Sequence, residues 1–385
     1  MRKKMLSFLL CLAMASSMLA GCGKKAQEPA APEEAPAQAE EESTESGGEK
    51  QKVVAVFNTN LGDKSFSDLV WAGVTKAAED FNLEVKAIEL MGDATKQEPT
   101  LVELCESGEW DVIVAGTFNL KEAIEKVAAD FPEQKFIVYD TELDFSTGDY
   151  ANCCSVMCKQ NEGAFLAGAL AAMQTKEEGD YTNGENIVGF VGGGENSAIN
   201  DFLVGYIEGV KYVDPECKVL FSYVGDFKNT AKAKELAIAQ YQQGADIVFQ
   251  VASSAGLGVL DAAKAENRIA IGVDQDQALL MEDNDPEISA HIMTSVVKKL
   301  DVLIYDKLDA FVNGSITWGV HENAGLSEQG MDITDNDYTR AIVSEETLSK
   351  IDEIREKVIS GEIQVKSAIT MSTEELNEIK DSAAK

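Results

Sequence analysis

The chain has 385 residues, with 67 Asp and Glu against 33 Lys and Arg and a formal charge of −34. That sign disfavours nucleic acid and anionic membrane surfaces as partners, because affinity for polyanions comes from neutralising phosphate with basic side chains. A bare nucleotide is disfavoured too unless a local basic pocket overrides the general field, and the length leaves room for one large domain or two of ordinary size.

Met1-Arg2-Lys3-Lys4 places positive charge at the start, an apolar run follows from Met5 to Leu19, and Leu19-Ala20-Gly21-Cys22 closes the segment. A basic start, a short apolar stretch and small residues before a cut site make a secretory signal over 1–21. The run is too short for a stable membrane span. Leu-Ala-Gly before Cys22 resembles the lipobox of bacterial lipoproteins, in which the cysteine carries lipid and becomes the mature N-terminus; an ordinary signal with a chance cysteine is the alternative. Residues 22–52 are rich in Ala, Pro, Glu, Gln and Ser, with almost no large apolar side chain. Such a segment buries too little to offset the entropy of folding and is expected to be a flexible tether.

From Val53 short apolar runs alternate with helical periods. Strands are expected at 53–57, 84–90, 111–115, 135–139, 186–191, 218–224, 246–251 and 268–273, and a further strand and helix between about 290 and 313. Continuous apolar runs suit strands covered on both faces of a parallel sheet. Phe66, Leu69, Val70, Gly73, Val74, Ala77 and Phe81 share one helical face, as do Val297, Leu300, Ile304, Leu308 and Phe311. Alternating strand and helix implies an α/β protein with right-handed crossovers. The two series of patterns point to a hinged, two-lobed molecule.

Seven cysteines are present. Cys11 leaves with the signal and Cys22 takes lipid. The remaining five have no regular spacing, so neither a disulfide framework nor a metal site is expected, and buried thiols serve as small hydrophobes. Gly192-Gly193-Gly194-Glu195-Asn196-Ser197 lacks the third glycine of a dinucleotide fingerprint and reads better as a strand-to-helix turn needing backbone freedom. No P-loop, nucleophile elbow or H-E-x-x-H motif occurs. Two histidines without a nucleophile–base set argue against enzymatic chemistry.

Ligands of open α/β sheets bind beyond the carboxyl ends of strands. The residues there are Asn58, Asn60, Asp63, Ser65 and Phe66; Asp140 and Thr141; Asp226 and Phe227; Asp274 through Gln277; and Thr294 through Lys299, which is expected to open a helix. Each has a plainer reading: Asp63 or Ser65 as a helix cap, Phe66 as core, Asp274 as the end of a strand. Together they carry a resemblance. Asp63-Lys64-Ser65-Phe66-Ser67 with Trp71-x-Gly73 is similar to the opening of the basic membrane protein family of bacterial purine-nucleoside-binding lipoproteins. The likeness continues at Glu162-Gly163-x-Phe165-Leu166-Ala167-Gly168, at Val188 through Gly193, at Phe202-x-x-Gly205-Tyr206, at Tyr241-x-x-Gly244-Ala245-Asp246, at Ala255-Gly256-x-Gly258-Val259, at Ile271-Gly272-Val273-Asp274 and at Thr294-Ser295-x-x-Lys298. These blocks span about residues 53–365 in order.

The resemblance implies a type I periplasmic-binding-protein fold, with two Rossmann-like lobes joined by a multi-strand hinge. The expected division is 53–158 with about 276–312 for the first lobe, 159–275 with about 313–365 for the second, and 366–385 as a C-terminal segment. It also implies ligand-binding roles. Phe66 and Phe227 stack on the two faces of the base, Asp274 and Lys298 contact the ribose, and Asp63 reads the base edge. Asn60, Ser67 and Asp140 complete the expected set. Gly62 stands where the family often has a second aspartate, Ser67 where Asn is frequent, and Asn229 where Asp is common; these departures bear on base preference.

The expectation is an extracytoplasmic, lipid-anchored monomer on the cell membrane. It takes a purine nucleoside between its lobes and hands it to an ABC permease, with no catalysis, cofactor or metal. A sugar-binding protein of the same fold and a surface receptor without transport are the rivals. A nicotinamide-dependent enzyme using Gly192–Gly194 is the third, disfavoured by the secretory signal because such cofactors are scarce outside the cell.

Overall fold

The computed structural model describes residues 50–383. The expected signal, the expected lipidation site Cys22 and all but the end of the expected tether lie outside those residues. The described chain begins with β1 (Lys52–Phe57), α1 (Phe66–Phe81), β2 (Glu84–Glu89), α2 (Gln97–Ser107), β3 (Val112–Gly116), α3 (Lys121–Asp130), β4 (Lys135–Tyr139) and β5 (Cys153–Cys158). It continues through α4 (Gln160–Gln174), β6 (Ile187–Gly192), α5 (Ser197–Val213), β7 (Lys218–Tyr223), α6 (Thr230–Gln242), β8 (Ala245–Val251), α7 (Leu257–Glu266), β9 (Ile269–Asp274), α8 (Gln277–Glu282), α9 (Pro286–Ser289) and β10 (Ile292–Lys298). It ends with α10 (Leu300–Val312), β11 (Val320–Ala324), β12 (Met331–Ile333), α11 (Asp337–Ile342), α12 (Glu345–Ile359) and α13 (Thr373–Ala383).

One sheet runs β11-β5-β4-β3-β1-β2 and the other β12-β10-β9-β8-β6-β7. The two orders are the same once β1 is matched with β6, so the lobes repeat one plan. Pairing is parallel throughout except between β10 and β12. Burial explains the apolar runs. Every residue of β3, β5, β8 and β9 is buried, as helix-covered central strands require. The edge strand β2, Glu-Val-Lys-Ala-Ile-Glu, has no fully buried residue and carries charges along an open edge, a feature that discourages pairing with other chains.

The chain passes between lobes three times: from β5 into α4, from β10 into α10, and from β11 to β12. At the crossings the Lys159 amide donates to the Ala324 carbonyl at 3.0 Å, and the Lys299 amide to the Gly330 carbonyl at 2.9 Å. Gly330 permits this closeness, since a Cβ there would lie 2.4 Å from that of Ala324.

The crossings differ from the expected division. Residues 276–298, expected in the first lobe, run in the second, where β10 pairs with β9. Strand β11, expected in the second lobe, pairs with β5 of the first. Thr294 through Lys298 do not open a helix; they form β10, and α10 starts at Leu300. Val297 therefore leaves the helical stripe, while Leu300, Ile304 and Leu308 remain on its buried face. Two β-branched valines and a threonine favour the pleated, fully packed strand. Strands β5, β11 and β12 were not expected. The cysteine-rich 153–158 segment is β5, and Cys153, Cys154, Cys158 and Cys217 are buried free thiols.

Candidate functional site

Strand carboxyl ends of both sheets meet in the cleft and enclose a cavity with about 100 Å³ open to the centres of water molecules. Asp63, Phe66, Ser67, Asp140, Phe227, Asp274 and Lys298 all line it. Asn60 does not: its amide turns back to the Leu61 carbonyl at 2.8 Å.

The first lobe supplies the residues around the start of α1. Asp63 is buried, and its carboxylate accepts the backbone amides of Ser65 at 3.0 Å, Ser67 at 2.9 Å and Asp68 at 3.2 Å. The Ser253 hydroxyl of the second lobe approaches the same group at 3.4 Å. A helix start leaves its first amides without partners, and a carboxylate is the strongest group to satisfy them. Asp63 therefore acts as the cap of α1, and most of its acceptor capacity is taken by the protein. Ser65 occupies the capping position of α1 without capping it; its hydroxyl crosses the cleft to Asp274. Phe66, the first residue of α1, lies against Tyr139 with ring centroids 6.0 Å apart. The Ser67 hydroxyl meets that of Thr59 at 3.0 Å.

Asp140 follows β4 and Asp274 ends β9, matched strands of the two sheets. Both are buried and both have left-handed backbones, with φ of 53° and 67°. Thr117 after β3 and Ser253 after β8 are matched in the same way, with φ of 78° and 49°. Left-handed conformation costs non-glycine residues energy and persists where surrounding structure enforces it, commonly at ligand sites. Here it occurs four times around one cavity.

Lys298 is 3% exposed at the end of β10. Its ammonium pairs with Asp140 and sits 5.4 Å from the centre of the Phe66 ring and 5.6 Å from that of Phe202. Burial pulls its pKa down, but Asp140, the Cys158 thiol and Asp274 outweigh that and hold it above the ordinary lysine value. Burial raises the Asp274 carboxyl to about 6, against the opposing pull of Lys298 and Ser65, with Asp63 and Asp140 adding to the rise. Three carboxyl groups thus face one ammonium in the cavity.

Phe227 comes from the loop between β7 and α6, and its ring lies over the turn after β6. A Cβ on Gly193 would fall 2.4 Å from two atoms of that ring. Neither Gly193 nor Gly194 has a positive φ. The turn uses glycine to give the aromatic ring room, not for the backbone freedom expected.

Sequence reasoning missed Thr117, Phe118 and Asn119 after β3, Ala252 and Ser253 after β8, and Ile199 and Phe202 on α5, all of which line the cavity. The first two groups follow runs recognised as strands, so the strand-end rule pointed to them. Ile199 and Phe202 lie in the first two turns of a helix and look like ordinary core. The expected positions Asp226 and Asp276 are spent on other bonds, Asp226 accepting the Lys228 and Asn229 amides of its own loop and Asp276 capping α8 through the Leu279 amide while accepting the Asn336 side-chain amide. Among the described residues no helix is long and apolar enough to cross a membrane.

The family model for PnrA-like ABC transporter substrate-binding proteins, Bmp, matches residues 50–368. A CD4+ T-cell-stimulating antigen of Listeria innocua is 27% identical over 380 residues, covering 95% of this chain and 99% of that protein. The ABC transporter nucleoside-binding protein BmpA of Lactococcus lactis is 29% identical over 329 residues, covering 82% of this chain and 89% of its own. The crystal structure of an ABC transporter solute-binding protein from Aeropyrum pernix aligns with a TM-score of 0.76 at 25% identity, over 87% of this chain and 98% of that one. The fold is the type I periplasmic-binding-protein fold, and the role of the matched family is to bind and deliver a solute rather than to transform it. The chain belongs to the PnrA-like, or Bmp, family of ABC transporter substrate-binding proteins.

Proposed function

We propose that the chain is a lipoprotein held by Cys22 on the outer face of the cell membrane, capturing a purine nucleoside in the inter-lobe cavity for delivery to an ABC permease. The observation that carries the reading is the make-up of that cavity. One aromatic ring from each lobe, Phe66 and Phe227, lines it together with Asp140, Asp274 and Lys298. A purine is an aromatic plate, and stacking geometry adds about 0.5–1.5 kcal/mol per ring pair beyond the area buried. Ribose hydroxyls donate to Asp140 and Asp274 and accept from Lys298. The name of the Lactococcus relative points to a nucleoside, without specifying the base.

The reading excludes nucleotides. A phosphate would add negative charge to a cavity with three carboxyl groups and one ammonium. It also alters the part given to Asp63. With its oxygens accepting three amides, Asp63 holds the start of α1, and the base edge falls to Asn58, Asn119 and the hydroxyl of Ser67. Lipid on Cys22 needs more than one acyl chain to anchor stably.

The test is a thermal-unfolding series with adenosine, guanosine, inosine, cytidine, ribose and AMP. A ligand at 100 times its dissociation constant adds about 2.7 kcal/mol, enough to raise the midpoint by several degrees. Purine nucleosides are expected to do so, and AMP and ribose are not. A shift with ribose alone would replace the nucleoside by a sugar. A shift with AMP equal to that with adenosine would remove the charge argument.

A further inference from the structure

We propose that Ser65 and Gln275 form a latch that sets how far the two lobes stay closed, and through closure how tightly every ligand is held, without touching the ligand. The proposal rests on reading the inter-lobe cavity as the ligand site. Neither residue lines that cavity.

Ser65 departs from local rules. A serine at the capping position of a helix ordinarily accepts the amides of the first turn. Ser65 is fully buried at that position of α1, and its side chain caps nothing. Asp63 has taken over those amides, which frees the Ser65 hydroxyl to donate across the cleft to Asp274. The second lobe also grips Ser65 by its backbone. The Gln275 side-chain amide donates to the Ser65 carbonyl at 2.8 Å. That carbonyl already accepts the Leu69 amide as the first helical bond of α1, so Gln275 uses its second lone pair.

The tip after β9 is shaped for this contact. Asp274 holds a left-handed backbone, and the Gln275 amide bonds back to the Val273 carbonyl at 2.8 Å. This sharp reversal turns two consecutive side chains, Asp274 and Gln275, onto one residue of the opposite lobe. An exposed contact, the Lys228 ammonium donating to the Met91 carbonyl at 3.4 Å, also crosses between the lobes; two further inter-lobe bonds use cavity residues, Lys298 with Asp140 and Ser253 with Asp63. Ser65 and Gln275 stand apart from the cavity pairs because both lie outside the cavity wall.

A two-state closure makes the consequence quantitative. The apparent dissociation constant is the intrinsic one divided by the fraction of molecules that are binding-competent. A residue that acts only on that fraction weakens all ligands by one factor. A residue that touches the ligand weakens them unequally.

The test compares wild type with Gln275→Ala for adenosine, guanosine and inosine, by calorimetry and stopped-flow dissociation, together with small-angle X-ray scattering of the ligand-free protein. One net hydrogen bond corresponds to about three- to tenfold in affinity. The expected result is the same loss within that range for all three ligands, carried by faster dissociation. The unfolding midpoint of the ligand-free protein is expected to fall by only about 1–2 °C, and its radius of gyration to be larger in the variant. Ser65→Ala keeps the Gln275 bond, which goes to the backbone carbonyl, and removes only the hydroxyl bond to Asp274; it probes the other half of the latch and is expected to raise the radius of gyration of the ligand-free protein as Gln275→Ala does. Unchanged affinity together with an unchanged scattering profile overturns the latch. So does a loss that differs more than threefold between nucleosides, which would mark direct contact. If wild type binds none of the three, the nucleoside reading fails, and the scattering comparison then decides the latch alone: an identical profile for Gln275→Ala overturns it and a larger radius supports it.

Discussion

Phe66 carries the sharpest expectation among single residues. Its ring is only half-buried and faces the cavity beside Tyr139 and under the Lys298 ammonium. Removing it takes little from the core of the first lobe, which is built on Val70, Val74 and Ala77 of the same helix. It takes away one plate of the stacking site. Loss of the stacking term and of the apolar area beneath it amounts to roughly 2 kcal/mol, more than a factor of ten in affinity. Phe66→Ala is therefore expected to weaken nucleoside binding at least tenfold in calorimetry while leaving the circular dichroism spectrum and the ligand-free midpoint close to wild type. Wild-type affinity in this variant would take Phe66 out of the site. Asp63 and Ser65 show where residue-level reading reaches its limit. Both were legible as possible caps from spacing alone, and the resemblance gave Asp63 to the ligand. Only the fold shows that Asp63 caps and Ser65 bridges, because that choice depends on where the opposite lobe brings Asp274.

The same contrast holds for elements. Runs such as 53–57, 135–139 and 246–251 announced themselves because central parallel strands need apolar residues on both faces. Strands β11 and β12 did not. The first is an edge strand, Val-His-Glu-Asn-Ala, with exposed Glu322 and Asn323, and the second is three residues long. Their hydrogen bonds go to partners remote in sequence, so no local period marks them. For the same reason the lobe boundaries were misplaced around β10: a strand followed immediately by a helix reads as one long helical stripe. The turn after β6 gives an element-scale prediction. Gly193 bonds on both sides, its amide to the Val251 carbonyl and its carbonyl to the Gly225 amide, each at 2.8 Å. The backbone there cannot shift away from an added methyl group, so Phe227 must. Gly193→Ala is expected to keep the fold and to lower affinity as much as Phe227→Ala does. The double variant should then lose little more than either alone, since both act through one ring. Full additivity in that cycle would show that the turn contributes to binding independently of Phe227.

At the scale of the whole molecule, buried carboxyl groups make stability depend on pH in an unusual direction. Burial raises Asp274 to about 6, and burial likewise raises Asp201 on α5 to about 6 against the opposing bonds from Ser367 and Ala368. Asp246 is displaced the same way by burial. Among the carboxyls held below their ordinary range, Asp93, Asp144 and Asp226 lie at the surface where water screens their contribution. The buried Asp214, where the effect of burial is outweighed by Lys176 and Asn186 holding it low, acts in the opposite sense mainly below about pH 4. Between pH 4 and 6 the folded protein therefore binds more protons than the unfolded chain at the buried sites. Unfolding free energy then falls as pH rises through that window, and the contribution is complete only below the unfolded pKa. A tenfold change in a proton-binding constant between the folded and unfolded chain corresponds to about 1.36 kcal/mol, so a carboxyl raised to about 6, as Asp201 is, contributes on the order of a few kcal/mol. Asp201 is the better one to test because it lies outside the cavity. Its Oδ1 accepts the Ser367 hydroxyl at 2.7 Å and the Ala368 amide at 2.8 Å, fastening the segment before α13 onto α5. Asparagine keeps an oxygen for both bonds and removes the titration. In urea unfolding at pH 4.5 and 7, wild type is expected to lose stability with rising pH, and Asp201→Asn to lose distinctly less while matching or exceeding wild type at pH 7. An equal decline in the variant would show that Asp201 titrates at its ordinary value and that its bonds to Ser367 and Ala368 balance the cost of burying its charge.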